Sequence, residues 1–155
     1  MKPEVETRLQ ALLQKREDEK LASERRTIAE KERKENHLTA FVIVRDSIIR
    51  PALTEIVQLY VARGFPARIL EKNEEANSKG GTSQPYIKLS LESETYSYSG
   101  TMNAEFTVYF EKEKNEIWIH KSTRSSAGPG ERLPLDRVSS EWIHEQFLKY
   151  ASQPY

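Results

Sequence analysis

The sequence predicts a two-layer α+β domain, with an antiparallel sheet of four to five strands, two core helices on one face of it, and a charged helical arm ahead of both. Three observations carry that reading. Leu38, Phe41, Val42, Ile48, Ile49, Leu53, Ile56, Val57 and Tyr60 recur at helical spacing, interrupted only by Arg45 and Ala52, which is the stripe of an amphipathic helix. Past Gly64 the apolar period changes from helical to two. Trp142, Ile143, Phe147, Leu148 and Ala151 then restore a helical stripe near the end.

Residues 1–36 read as the arm and 37–155 as one domain. From Pro3 to about Asn36 the chain is rich in Glu, Lys, Arg, Gln, Leu and Ala, with no further proline or glycine. Opposite charges recur one helical turn apart, as in Glu4 with Arg8, Lys15 with Glu19 and Glu30 with Lys34, each contributing about 0.2–0.5 kcal/mol. Val5, Leu9, Leu12 and Leu13 form a small apolar patch, and Leu21, Ala22, Ile28 and Ala29 a weaker one. Leu21 and Ile28 are one heptad apart but Leu13 and Leu21 are not, so the expectation is a helical arm or a short coiled coil without a continuous seam.

The core helix is predicted from Leu38 to Arg63, with Gly64 as its left-handed cap; Pro51 either kinks it, the favoured reading because the stripe keeps its phase, or marks the first turn of a second helix beginning near Arg50. Ala67–Lys72 reads as a first strand, Asn73–Pro85 with its Gly80-Gly81 pair as a loop, and Tyr86–Leu91 as a second strand. Tyr96 and Tyr98 suggest a short third strand. Phe106, Val108 and Phe110 alternate with Thr107 and Tyr109, and Ile117 and Ile119 with Trp118 and His120, around a polar turn at Lys112–Asn115. A turn of even length places Phe106, Val108, Phe110, Ile117 and Ile119 on one face, the core face. Ser122–Arg132 is expected to be a loop, Leu133–Val138 a short edge strand, and Ser139 or Ser140 the cap of the last helix.

Composition narrows the functional classes. The 24 Lys and Arg are offset by 24 Asp and Glu, so no global field draws the chain to a polyanion. With no cysteine there is no disulfide, thiolate nucleophile or Cys-ligated zinc. The opening residues lack a signal-peptide apolar run and no later run is long enough to span a bilayer, so a soluble cytoplasmic protein is expected. His37, His120 and His144 do not lie at ligand spacing from one another, and Glu141 with His144 is half of a carboxylate-bridged di-iron motif with no second half, read as two solvent-facing helix residues. Ser78–Ser83 lacks the spacing of a phosphate loop. No catalytic, metal or cofactor-binding residue is therefore assigned.

The second face of the sheet is the functional candidate. If both helices cover the first face, Tyr86, Lys88, Tyr109, Trp118 and His120 collect on the other, with Tyr96 or Tyr98. Aromatics favour strands in any case, yet this set is richer than a solvated face needs. The leading expectation is a non-enzymatic interaction module, an adaptor, inhibitor or chaperone-like protein, that grips a protein partner or forms a homodimer. The contact residues would be Leu9 and Leu12 on the arm and Tyr86, Lys88, Tyr109 and Trp118 on the sheet. The alternative is single-stranded nucleic-acid binding on the same aromatics, with Arg68, Lys72, Arg124 and Arg132 at the margins; zero net charge and the lack of an RNP pattern count against it. An enzyme without a local motif ranks third.

Overall fold

The computed structural model describes residues 1–76, 80–95, 103–122 and 127–152, with the side chains of 93–95, 103 and 127–129 also excepted. The chain divides into two compact units, 1–36 and 37–155. Helix α1 spans Pro3–Val44 without interruption, so the charged segment and the start of the apolar stripe share one helix. Its side chains are exposed as far as Arg33. Glu30 pairs with Arg33 at 3.4 Å and with Lys34 at 3.9 Å, and Gln14 donates to Asp18 at 3.1 Å. Such pairs support the helix without docking it.

The stripe does not pass through Pro51 in unbroken α phase. Arg45–Ile49 forms a π-turn, in which the Arg50 N–H reaches back to the Arg45 carbonyl, and α2 (Arg50–Ala62) follows with Pro51 in its first turn. Pro51 has no N–H to give to the preceding turn, and the wider turn just ahead of it accommodates that loss. The extra residue brings Arg45 and Ala52 inward: both are buried, whereas they had read as interruptions. Val42, predicted on the stripe, is exposed. At the other end Gly64 takes φ 85° and the Phe65 N–H bonds the Tyr60 carbonyl at 2.9 Å, closing α2 with the predicted left-handed cap.

The main sheet has five strands in the order β1, β4, β5, β6, β7, all antiparallel. They are β1 (Ala67–Lys72), β4 (Tyr86–Thr95), β5 (Asn103–Glu111), β6 (Glu116–Ser122) and β7 (Ala127–Pro134). Between β1 and β4 the predicted loop holds a small ribbon, β2 (Glu75–Ala76) paired with β3 (Thr82–Ser83), which continues the hairpin past a break at 73–74 and 84–85. The predicted third strand at Tyr96 and Tyr98 lies outside the described residues, and β4 runs beyond Leu91 to Thr95. The Lys112–Asn115 turn joins β5 and β6 in the predicted register, pairing Phe110 with Ile117 and Val108 with Ile119.

The largest departure is β7. Residues 127–132 were expected in a loop, because Gly128, Pro129 and Gly130 are poor strand formers, but at a sheet edge proline loses no ladder bond. A register shift between Trp118 and His120 absorbs the irregularity. An added Cβ at Gly130 would sit 3.2 Å from the Ile119 carbonyl oxygen, a tight contact that the neighbouring strand would have to yield by a few tenths of an ångström to accept. The strand ends at Pro134, and Leu135–Arg137 is a 3-10 turn where more strand had been expected.

Helix α3 (Ser140–Ala151) is capped by Ser139, whose hydroxyl oxygen accepts from the Trp142 N–H at 3.1 Å. Its buried face is Ile143, Gln146, Phe147 and Tyr150; Leu148, predicted on the stripe, is 65% exposed, and Ala151 is exposed too. Both core helices pack on one sheet face. Phe41, Ile49, Leu53, Ile56, Ile143 and Phe147 meet Ile87, Leu89, Phe106, Val108, Phe110, Ile117 and Ile119. Phe41 stacks on Phe110 at 4.6 Å, and Phe147 meets Phe106 edge-on at 5.5 Å. Each such side chain contributes about 1.5–3 kcal/mol on burial, which identifies this layer as the source of stability.

Candidate functional site

The register places the candidate aromatics in one row. Tyr86 pairs with Tyr109, Tyr109 with Trp118, and Trp118 with Arg132 across β4, β5, β6 and β7. Paired residues share a face, and this is the face away from the helices. The Tyr86 and Tyr109 rings meet edge-on at 5.5 Å, Tyr109 stacks on Trp118 at 4.5 Å, and the Arg132 guanidinium lies 5.7 Å from the Trp118 ring. His120 completes the cluster edge-on to both Tyr109 and Trp118. One row further along, Lys88, Thr107 and His120 align, with Thr107 buried beneath its neighbours.

Every cation described on this face has a carboxylate beside it. Lys88 Nζ lies 2.6 Å from Glu105 and 5.4 Å from the centre of the Tyr86 ring. Burial by itself would pull the Lys88 ammonium down, but Glu105 more than offsets it and leaves the pKa above the usual lysine value. Burial, with Tyr86 alongside, pushes the Tyr109 phenol above its usual range. Arg132 reaches Glu111 at 2.7 Å and Glu116 at 3.4 Å, and the Trp118 indole N–H donates to Gln84 at 3.1 Å. The carboxylates and Gln84 were missed in the sequence, although the hairpin register itself sets Glu111 opposite Glu116. Among the marginal cations, Arg68 pairs with Glu92 and Lys72 with Glu75, while Arg124 lies outside the described residues.

The arm residues stand apart from this row in sequence and are exposed. Leu9 is 42% and Leu12 48% exposed, and Val5 and Leu13 are similarly open.

Three polar arrangements had no place in the sequence reading. Arg45, 7% exposed, bonds Asp46 at 2.9 Å and Asn73 at 3.0 Å, and Glu71 lies 3.5 Å away and also pairs with Arg50. The Arg45 guanidinium beside Asp46 holds that carboxyl below the usual aspartate range. The signal that could have found this cluster is an arginine on an apolar stripe with an acid next in sequence. Its charges are satisfied within the chain, so it ties the π-turn to β1. His144, read as solvent-facing, instead lies 3.2 Å from both the Ala52 carbonyl and Glu55, joining α3 to α2, while Glu141 is exposed. His37 Nδ1–H donates to the Lys112 carbonyl at 2.7 Å, fixing α1 to the β5–β6 turn.

Among the described residues no three His, Asp or Glu side chains converge as metal ligands, and no helix is long and apolar enough to cross a membrane. The fold and the site together define an α+β protein whose sheet has one helix-covered face and one aromatic, charge-balanced face. No protein-family model matches the sequence, and neither a curated protein nor a solved structure shows significant similarity to it.

Proposed function

We propose that the protein is a non-enzymatic interaction module, an adaptor, inhibitor or chaperone-like protein of the cytoplasm, that binds a protein partner or a second copy of itself. Its contact surfaces are the arm, through Leu9 and Leu12, and the aromatic sheet face, through Tyr86, Lys88, Tyr109 and Trp118. The observation that carries this reading is the combination of a ring cluster with cations already neutralised in the chain. A phosphate backbone needs free Lys and Arg, and here Glu105, Glu111 and Glu116 stand beside Lys88 and Arg132. Stacking between Tyr109 and Trp118 also occupies one face of each ring, which halves the ring surface open to bases. A protein partner, by contrast, is suited by tyrosine, tryptophan and arginine inside a polar rim. The lack of cysteine fits a reducing compartment.

Light scattering on the whole chain and on a version starting at Asn36 tests the reading. A dimer that becomes a monomer on shortening identifies the arm as a self-association element. If both are monomers, capture of a protein partner that depends on Tyr109 and Trp118 sustains the proposal. Salt-sensitive binding of single-stranded oligonucleotide to the same face would replace it with the nucleic-acid reading.

A further inference from the structure

We infer that the outer edge of β1 is a strand-addition site for an extended segment of a partner protein, one that alternates apolar and acidic residues. This site uses neither the arm nor the ring cluster of the aromatic face, although Arg68 and Lys72 stand at the margin of that face.

The phase of the ladder leads to it. The Glu92 N–H donates to the Pro66 carbonyl at 3.1 Å, and the same register pairs Arg68 with Ser90, Leu70 with Lys88 and Lys72 with Tyr86. Bonded pairs alternate in an antiparallel ladder, so these residues direct their backbone groups toward β4. Ala67, Ile69 and Glu71 direct theirs outward, where β1 has no strand neighbour among the described residues. The outer edge thus offers three N–H and three C=O groups to an added strand. The two sheet edges differ. Edges are commonly blunted by proline or by a bulge, and β7 has Pro129, Pro134 and a register shift in its pairing with β6, while β1 (ARILEK) pairs regularly and contains no proline or glycine.

Side-chain chemistry selects the occupant. On the helix side Ala67 and Ile69 are half-buried, and at the start of the strand a hollow of about 520 Å³ is lined by Val61, Phe65 and Ala67 and extends to the Arg68–Glu92 pair. Phe65 is 52% exposed there, so a branched apolar side chain from an added strand would find cover. On the other side Arg68 and Lys72 flank Leu70. Their carboxylate partners Glu92 and Glu75 still leave the side chains 58% and 43% exposed. A second copy of β1, paired two-fold about Ile69, would bring Arg68 of each strand diagonally against Lys72 of the other. Like charges at that spacing repel, whereas acids in those places would take over from Glu92 and Glu75 as partners of these exposed cations.

The test uses the isotope-labelled full chain and a capped heptapeptide, Glu-Thr-Ile-Val-Glu-Val-Thr. Peptide should slow hydrogen exchange at the Ala67, Ile69 and Glu71 amides and leave the already bonded Arg68, Leu70 and Lys72 amides unchanged. Ile69→Pro removes an N–H that bonds nothing in the main sheet, so melting should persist while peptide affinity falls about tenfold or more. A peptide with lysine in place of glutamate should bind more weakly, and Lys72→Glu should narrow that difference. Unchanged exchange at the three amides overturns the proposal, whether or not the proline variant folds. So does their protection by increasing protein concentration alone, because a second copy would then be the occupant.

Discussion

Replacing Tyr109 and Trp118 together by serine separates a binding face from a hidden core. The rings are half-buried and stack mainly on each other at 4.5 Å, with Arg132 and Gln84 at the Trp118 margin. An aromatic pair of this kind is worth about 0.5–1.5 kcal/mol beyond its area, so with partial burial the double change should cost about 2 kcal/mol. Unfolding entropy of about 2.1 cal/mol/K per residue over the 37–155 unit gives about 0.25 kcal/mol/K, so the melting temperature should fall by about 8 °C. Two fully buried rings would cost about 3–5 kcal/mol each and lower it by at least about 24 °C. If the face binds, each ring acting as a hot spot should contribute about 2 kcal/mol or more, and loss of both should weaken association by several hundredfold. Calorimetry with sedimentation of the same samples reads both quantities. A melting loss in the larger range, or association equal to the parent's, would refute the assignment of these rings to a contact surface.

Phe41→Ala should show the opposite signature: a stability loss of about 3–5 kcal/mol and a melting temperature lower by about 12–20 °C, since the ring is buried and stacked on Phe110. A change under a few degrees would mean that α1 is not anchored there. Acid titration should show the carboxylate pairs. Asp46, beside Arg45, and Glu131, beside Lys149, have pKa values below their ordinary 3.8 and 4.5. A depressed folded value stabilises the fold above the ordinary one, and that contribution fades as pH falls through the folded value. Asp46→Asn and Glu131→Gln should therefore lie below the parent in stability at neutral pH and converge with it in strong acid; a gap that persists at low pH would contradict the assignment.

Much of the architecture was legible from local chemistry. Period-two alternation in Phe106–Phe110 and Ile117–Ile119 determined which side chains face the core, because pleat geometry leaves no other choice once the turn length is even. Gly64 and Ser139 marked helix ends by backbone requirements that few residues meet. The meeting of Tyr86, Lys88, Tyr109, Trp118 and His120 on one face followed from the same alternation.

What needed the tertiary structure was pairing between segments distant in sequence. Arg45 looked like a gap in a stripe until the π-turn brought it inside with Asn73 and Glu71, and His144 looked solvated until α2 supplied Ala52 and Glu55. The 128–130 stretch became strand because β6 offered a ladder that its own propensities would not have sought. Leu148 fell off its stripe because Gln146 and Tyr150 took the inner positions, held by Glu131 and the Ser122 carbonyl. Sequence by itself determined periodicity, caps and the sign of each charge. Which charges neutralise one another, and so whether the aromatic face offers free cations, depended on distances that only the packed chain defines.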